Sequence, residues 1–330
     1  MLAERRKLYK SIESARNSHV IAYVTGDRQG RETRIAPDAI DRFGSLLDKL
    51  ARPDKISLLL YTRGGETSAA WSLVNLLREF CKTFEVLVPS RCHSAGTLMC
   101  LGADGIVMSK QATLGPIDPS VTTPLNPQIP GAPARQRLPL SVEDVAGYMD
   151  LARSEGGIKS DDALAIVFTR LATEVHPVAL GSVKRARGQI QELARKLLSK
   201  HMQDSDKRDK IIRMLCNEAG SHDYSIYRTE ARHELGLPVE SPSMPLYKLM
   251  NAWLLDVRAE LELDSPFNPG HVVTPGSLGP VPYRHVRGVI ETATSDAFSF
   301  VSEGRLQGLV DPSGSFAIRD ETTSEGWVSQ

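Results

Sequence analysis

Residues 56–65 read ISLLLYTRGG and residues 84–96 read FEVLVPSRCHSAG. In each stretch a short apolar run leads into a turn of glycine or small residues, and a helical pattern follows the turn. An apolar run of this length between chain breakers is typical of a strand buried in a parallel sheet. The two stretches therefore predict the same arrangement twice: a buried strand, a tight turn and a helix.

The sequence on either side extends this alternation. Strands are predicted at His19–Val24, Ile56–Tyr61, Phe84–Val88 and Gly105–Met108, and helices at about Asp38–Leu50, Ser68–Cys81 and Ser94–Leu101. Strands that alternate with helices form parallel sheets with right-handed crossovers. We therefore expect an α/β fold.

The remaining sequence predicts the domain organisation. We expect an N-terminal helix over residues 1–16, the α/β core over 17–120, a Pro-rich loop over 121–140, a helical region over 141–263 and a C-terminal segment over 264–330 that returns as a strand or helix. Within the helical region, Ser141 and Ser160 are placed as N-caps. A strand is predicted at His285–Thr292.

Composition excludes some classes of protein. Forty basic and forty acidic side chains cancel, and hydrophobic residues make up 41% of the chain, which argues against a disordered chain or a dedicated polyanion binder. The N-terminus is charged, without the apolar region of a secretion signal, and no run approaches eighteen apolar residues. The four cysteines form no CxxC pair, so we expect reduced thiols and a cytoplasmic location.

The two turns carry residue types suited to acyl transfer. Gly64 and Gly65 allow the main chain to approach a ligand closely, and Ser94 stands where a helix begins, with free amides beside it. This reaction needs a nucleophile next to N–H donors that bind the oxyanion. Ser94 is therefore the predicted nucleophile, with Gly64, Gly65 and Ala95 as oxyanion donors; the alternative is an ordinary turn followed by an ordinary N-cap.

Three linked motifs, TRGGE, SAGT and LGPIDP, occur in this order between residues 62 and 119. Their order and spacing resemble the serine dehydrogenase proteinase (SDH) family of Clp-fold serine proteinases, which is related to signal peptide peptidase A and ClpP. The resemblance implies a ClpP/crotonase-like stacked ββα core with a helical C-terminal extension. It also implies a serine peptidase that acts on polypeptides through an acyl-enzyme on Ser94, and a homo-oligomer.

One residue departs from the family pattern. Where the family usually has proline before the two glycines, this chain has Arg63. Arg63 either binds a carboxylate of the substrate or projects into solvent.

The general base is less clearly marked. No histidine occurs between His93 and His176, so the ClpP histidine has no counterpart in its usual place, whereas signal peptide peptidase A uses a lysine. Lys184 is the preferred base, ahead of Lys110 and Lys159. His176, and His222 with Asp223, are the alternatives; His93 is interpreted as a surface or subunit-contact residue.

Other functions stay open at this point. No metal site and no cofactor are predicted, because the sequence has neither a ligand cluster nor a phosphate-binding loop. The alternatives to a peptidase are a crotonase-type acyl-CoA hydratase or isomerase and a catalytically inactive scaffold that binds peptides. The basic run from Lys184 to Arg213 lacks interleaved aromatic residues, so nucleic-acid binding is not expected, and an unfoldase or membrane partner stays undefined.

Overall fold

A computed structural model describes residues 2–50, 52–117, 120–131, 136–218, 224–274, 279–294, 296–310 and 315–330. The chain forms two compact units, one made of Met1–Leu114 with Ser225–Gln330 and the other of Gly115–Tyr224. The first unit contains the predicted strand-turn-helix arrangements.

The strands are β1 His19–Thr25, β2 Lys55–Tyr61, β3 Thr83–Val88, β4 Arg91–Cys92, β5 Gly105–Met108, β6 Thr113–Leu114, β7 Ser120–Val121, β8 Leu140–Ser141, β9 Ile226–Tyr227, β10 Val239–Glu240, β11 Val281–Thr292, β12 Phe298–Val310 and β13 Phe316–Ser329. The helices are α1 Leu2–Arg16, α2 Ile40–Leu47, α3 Thr67–Phe80, α4 Ala95–Leu101, α5 Val142–Ser154, α6 Asp161–Glu174, α7 Pro177–Leu198, α8 Ser205–Arg213, α9 Arg228–His233, α10 Met244–Glu260 and α11 Pro269–Val272.

An eight-stranded sheet forms the centre of the first unit, in the order β10-β5-β3-β2-β1-β11-β12-β13. The strands from β10 to β1 pair in parallel, whereas β11, β12 and β13 pair antiparallel. The parallel strands are almost fully buried, as expected where helices cover both faces of a sheet. The predicted α/β fold is confirmed.

Alternate residues of β1 face opposite layers of helices, as the two-residue period of a strand requires. Val20, Ala22 and Val24 belong to a buried cluster with α1 and α10 that includes Trp253. Tyr23 points to the other face, where its ring meets Phe43 of α2 at 5.3 Å. The sheet is therefore the middle layer of three.

A short second sheet, β4-β6-β9, lies beyond the ends of the parallel strands. The amide of Thr62 donates to the carbonyl of Arg91 at 3.0 Å, and the amide of His93 donates to the carbonyl of Thr62 at 3.1 Å. These bonds fix the chain after β2 beside the chain before α4. The two predicted turns therefore meet at the carboxyl edge of the parallel strands.

The second unit is mainly helical and contains α5, α6, α7 and α8. Ser160 caps α6 by accepting from the Ala163 amide at 3.2 Å, and Ser141 accepts from the Asp144 amide at 3.3 Å. Both predicted N-caps are confirmed. Among the described residues no single helix meets the length and hydropathy of a membrane span, while α6 and α7, bent by 103°, meet them only as a pair.

The tail contains more sheet than the sequence predicted. The expected strand at His285–Thr292 is part of a longer one, Val281–Thr292, and the long strands β12 and β13 follow it. Charged and polar side chains occupy much of β13, which is mostly exposed. The pattern of apolar residues does not predict such a strand, because pairing with β12 holds it in place rather than burial of its side chains.

Candidate active site

Ser94 has the backbone conformation of a strained elbow. Its φ is 50° and its ψ is −115°, in a region that residues with a side chain rarely adopt. It directly precedes α4, yet its side chain makes no capping hydrogen bond. The ordinary N-cap interpretation is therefore wrong for Ser94, and the half-buried hydroxyl is held at a sharp turn between strand and helix.

The glycine turn lies directly against Ser94. Gly64 has a φ of 116°, and a Cβ added to it would stand 2.6 Å from the Ser94 Cβ and 3.2 Å from the Ala95 nitrogen. Gly65 has a φ of 151°, and a Cβ there would meet the Ile35 main chain at 2.2 Å. Both positions therefore require glycine, for conformation as well as for space.

The amide of Gly64 is used within the turn. It donates to Thr62 Oγ1 at 2.9 Å, and Thr62 Oγ1 lies 2.6 Å from Thr25 Oγ1. Both threonines are buried. The expectation that Gly64 supplies an oxyanion donor is therefore corrected: a buried relay of two threonine hydroxyls holds this amide.

The amides of Gly65 and Ala95 differ from the amide of Gly64 in their hydrogen bonding. In the described part of the chain, no hydrogen bond occupies the N–H of Gly65 or of Ala95. The carbonyl of Gly64 accepts from the Ile35 amide at 2.8 Å, and the Glu66 amide donates to the Ile35 carbonyl at 2.8 Å, so the turn is fixed on both sides of Gly65. Unpaired amides in a buried turn are rare, and two of them beside a serine suit a developing oxyanion.

His93 is half-buried, and its Nε2 lies 2.8 Å from Thr113 Oγ1 on β6. The interpretation of His93 as a surface or subunit-contact residue stays a prediction, and within the chain the imidazole has Thr113 as a partner. The contact ties the residue before the nucleophile to the neighbouring short strand. The residue before Ser94 is thereby held by β6.

Asp27 connects the two turns through their arginines. This carboxylate, only 4% exposed, has Oδ2 at 2.5 Å from an Nη atom of Arg91 and at 3.4 Å from Nε of Arg63. Its other oxygen accepts from the Tyr61 hydroxyl at 2.8 Å. Burial, followed by the Asp27 charge, raises the pKa of Tyr61 to about 12, so Tyr61 stays a donor at neutral pH.

The predicted bases belong to the second unit. Lys184 is exposed on α7 and lines an apolar groove of about 700 Å³ between α5, α6 and α7. His176 is exposed and caps α7, with Nδ1 accepting from the Val178 amide at 3.2 Å. His222 and Asp223 lie outside the described residues. The identity of the base stays a prediction.

Sequence reasoning missed the residues that support the turns. Thr25 and Asp27 are not in a motif, and Thr62 was noticed only as the first letter of TRGGE; the contacts of Thr25 with Thr62 and of Asp27 with Arg63 join residues far apart in sequence. A weak signal exists for two of them, because Thr25 ends one buried strand and Thr62 directly follows the next. Hydroxyls at equivalent ends of paired parallel strands are neighbours.

Among the residues described, no group of three or more His, Cys, Asp or Glu side chains is placed to hold a metal ion.

Residues 1–144 match the family model described as ClpP-like SDH-type serine proteinase. This part of the chain is similar to that family. The match covers β1 to β6 and both turns, including Ser94 and the two glycines. The resemblance drawn from TRGGE, SAGT and LGPIDP is thereby confirmed, and the matched family is one of serine proteinases.

Two curated relatives are similar to a longer part of this chain. "Uncharacterized protein MJ0137" of Methanocaldococcus jannaschii is 27% identical over 265 residues, covering 77% of this chain and 80% of its own. "Uncharacterized protein MJ1495" of the same organism is 27% identical over 249 residues, covering 73% of each chain. Neither name states an activity.

Similar solved structures include two variants of the 1510-N membrane-bound stomatin-specific protease. The variant in complex with a substrate peptide has a TM-score of 0.39 at 15% identity, covering 64% of this chain and 73% of its own. The second variant has a TM-score of 0.27 at 19% identity, covering 41% and 63%. These TM-scores are too low to transfer site features.

Proposed function

We propose that this protein is a serine peptidase in which Ser94 attacks the peptide carbonyl and the N–H groups of Gly65 and Ala95 bind the oxyanion. The observation that carries the proposal is the elbow: a serine at φ 50° with an uncapped hydroxyl, directly against a glycine turn. The two unpaired amides beside it complete the group of residues that acyl transfer requires.

The reaction follows from these positions. Ser94 Oγ forms a bond to the carbonyl carbon while a base takes its proton, and the negative charge moves to the carbonyl oxygen. Collapse of this intermediate breaks the C–N bond, the amine leaves with the proton, and an ester on Ser94 remains. Water then attacks the ester by the same route and restores the hydroxyl.

The strained backbone supports this role. A residue with a side chain at this φ and ψ costs about 1–3 kcal/mol, and at Ser94 no capping bond offsets that cost. The sharp turn leaves the hydroxyl without a hydrogen bond to the helix that it precedes. The close approach of Gly64 then brings the Ala95 amide and the glycine turn to the same side of the nucleophile.

Lys184 is the base of the proposal, with His176 and the pair His222–Asp223 as alternatives. Lys184 lies on α7 beside an apolar groove, and a lysine acts as a base in signal peptide peptidase A, which the sequence motifs resemble. A homo-oligomer in the cytoplasm, with polypeptides as substrate, completes the proposal. Light scattering coupled to gel filtration measures the number of subunits.

Fluorophosphonate labelling tests the nucleophile. We expect the wild type to be labelled and Ser94→Ala to lose all labelling, because the probe reacts only with an activated hydroxyl. Ser68→Ala is the matched control, since Ser68 is an exposed serine in the first turn of α3, after the other turn, and this variant keeps wild-type labelling. A labelled Ser94→Ala variant, or an unlabelled wild type, would contradict the proposal.

The same assay identifies the base. Lys184→Ala, His176→Ala and His222→Ala are compared for the rate of labelling, and the loss of a base is expected to slow it about 100-fold or more. Thermal unfolding of each variant separates loss of the base from loss of the fold. Casein digestion then distinguishes a peptidase from an esterase.

A further inference from the structure

Arg63 directly precedes the two glycines of the proposed oxyanion turn, and its side chain is 62% exposed. In the sequence family that the chain resembles, proline is usual at this position, so the arginine is a feature of this chain. Neither the family assignment nor the proposed mechanism gives it a role.

Arg63 shares its acidic partner with a second arginine. Asp27 is the shared acceptor, and Arg91 approaches it to 2.5 Å, whereas Nε of Arg63 lies 3.4 Å away. One buried carboxylate thus faces two guanidinium groups, and Arg91 holds the shorter contact. No other described residue forms an ion pair with Arg63, so its Nη atoms are available.

The ion pair places Nε of Arg63 on the side of the Asp27 carboxylate, at 3.4 Å. The Nη atoms are then left for the two parallel hydrogen bonds that match a carboxylate. Such an arrangement lowers the entropic cost of holding the side chain when a ligand arrives. A solvent-exposed arginine without a ligand needs no such anchor.

The position places this edge beside the substrate. Neighbouring Cα atoms are about 3.8 Å apart, and Gly64 lies in contact with Ser94. An extended peptide advances about 3.3 Å per residue. Arg63 is therefore within reach of groups a few residues from the scissile bond.

We propose that Arg63, oriented by Asp27, forms a subsite for a carboxylate of the peptide substrate, an acidic side chain or the C-terminal carboxylate near the scissile bond. The inference rests on the proposed peptidase function. It assigns to the enzyme a preference for anionic over neutral groups at one substrate position.

Matched peptides test this preference. In one set, acetylated and amidated peptides carry Glu or Gln at a single position that is moved along an otherwise constant sequence. In the second set, the Gln peptides end in a free carboxylate at successive lengths. Cleavage is followed by mass spectrometry, and kcat/KM is compared within each pair.

For the wild type we expect about a tenfold preference for the carboxylate-bearing member at one position, as a charge-assisted pair provides. Arg63→Gln is expected to cleave both members equally. Arg63→Lys retains part of the preference, because an ammonium group binds a carboxylate without the paired geometry. The set that shows the preference identifies whether the side chain or the C-terminus supplies the carboxylate.

Arg34→Gln is the matched control. Arg34 is 71% exposed, lies 3.4 Å from the Glu66 carboxylate and flanks the same turn. It therefore has the same charge as Arg63 at a similar position, but among the described residues it does not share its carboxylate with a second arginine. This variant keeps the wild-type preference. Equal cleavage of all pairs by the wild type, or a preference that persists in Arg63→Gln, would overturn the inference.

Failure of the proposed function gives a different result. An unlabelled wild type that cleaves no peptide rejects the peptidase. The subsite is then measured by fluorescence anisotropy with dye-labelled Glu and Gln peptides. Tighter binding of the Glu peptide that is lost in Arg63→Gln supports the subsite, and equal binding by the wild type overturns it.

Discussion

The two ends of the parallel strands are built in opposite ways. At the amino edge, the buried Glu85 carboxylate accepts from Arg16 at 2.9 Å, from Ser57 at 2.5 Å and from Lys55 at 2.9 Å. At the carboxyl edge, the amides of Gly65 and Ala95 lack a hydrogen bond within the described residues. The buried acceptor at the amino edge thus has several donors, whereas two donors at the carboxyl edge have no acceptor among the residues that the structure describes.

The backbone differs in the same way. The residues around Glu85 lie in regular strands, whereas Ser94 has a φ of 50° and the glycines before it have φ values of 116° and 151°. Strain persists only where the surrounding structure holds it in place. The comparison indicates that contacts at the amino edge stabilise the fold. At the carboxyl edge, strained backbone lowers the stability and places the hydroxyl and the unpaired amides together.

The largest expected effect comes from Gly64→Ala. The added methyl group would stand 2.6 Å from the Ser94 Cβ at a φ of 116°, so the turn must move away from the nucleophile. We expect the rate of fluorophosphonate labelling to fall by about 100-fold or more, as for loss of an oxyanion donor. Gly44→Ala in α2, where a Cβ meets nothing within 4 Å, is the control and should label normally. Normal labelling of Gly64→Ala would show that the reactivity of Ser94 does not depend on the close approach of the glycine turn.

At the amino edge, Glu85→Gln should lower stability and leave the rate of labelling unchanged. Loss of the charged acceptor costs about 2 kcal/mol of unfolding free energy, measured by urea denaturation at pH 7. Glu79→Gln, at an exposed position on α3, should change it by less than about 0.5 kcal/mol. A large loss of labelling in folded Glu85→Gln would show that the two edges are not separate.

The pH dependence of stability sharpens this prediction. Burial opposes the charge on Glu85, but hydrogen bonds from Arg16, Ser57 and Lys55 outweigh it and lower the pKa of this carboxyl below its ordinary 4.5. Between the two values the unfolded state binds more protons, so stability falls as the pH decreases below about 4.5. In Glu85→Gln this part of the acid destabilisation should be absent, and an unchanged pH profile would reject the assignment.

A smaller effect is expected from Thr62→Val. This change keeps the shape of the side chain and removes the oxygen that accepts from the Gly64 amide at 2.9 Å. A released turn holds the neighbouring Gly65 amide less precisely, so labelling should slow about tenfold. Thr62→Ser retains the oxygen and should label at close to the wild-type rate. Equal labelling of the Val and Ser variants would show that the threonine relay does not position the turn.

The smallest effect concerns the strain at Ser94. Ser94→Ala and Ser94→Gly both lack the hydroxyl, but glycine adopts positive φ without cost, so the Gly variant should be more stable than the Ala variant by about 1 kcal/mol. Ser68→Gly compared with Ser68→Ala should show the opposite sign, because position 68 is helical. Urea denaturation measures both pairs. Equal stability of the two Ser94 variants would mean that the elbow stores no strain.

The sequence by itself determined the parallel core. The runs at Ile56–Tyr61 and Phe84–Val88 are apolar because helices cover both faces of these strands, so composition alone reveals them. The glycine pair and the SAGT turn were also visible, since positive φ and close packing demand particular residue types. The long strands β12 and β13 were not predicted, and the exposed polar residues of β13 carry no burial signal.

Only the tertiary structure decided how the two turns work together. The sequence predicted Gly64, Gly65 and Ala95 as oxyanion donors, and the hydrogen bond from the Gly64 amide to Thr62 Oγ1 removed Gly64 from that set. It likewise left Arg63 without a partner, whereas the fold brings Asp27 to it across 36 positions in the chain. Local sequence determines which backbone conformations are allowed, but the hydrogen bonds that use or spare each amide join residues that are distant along the chain.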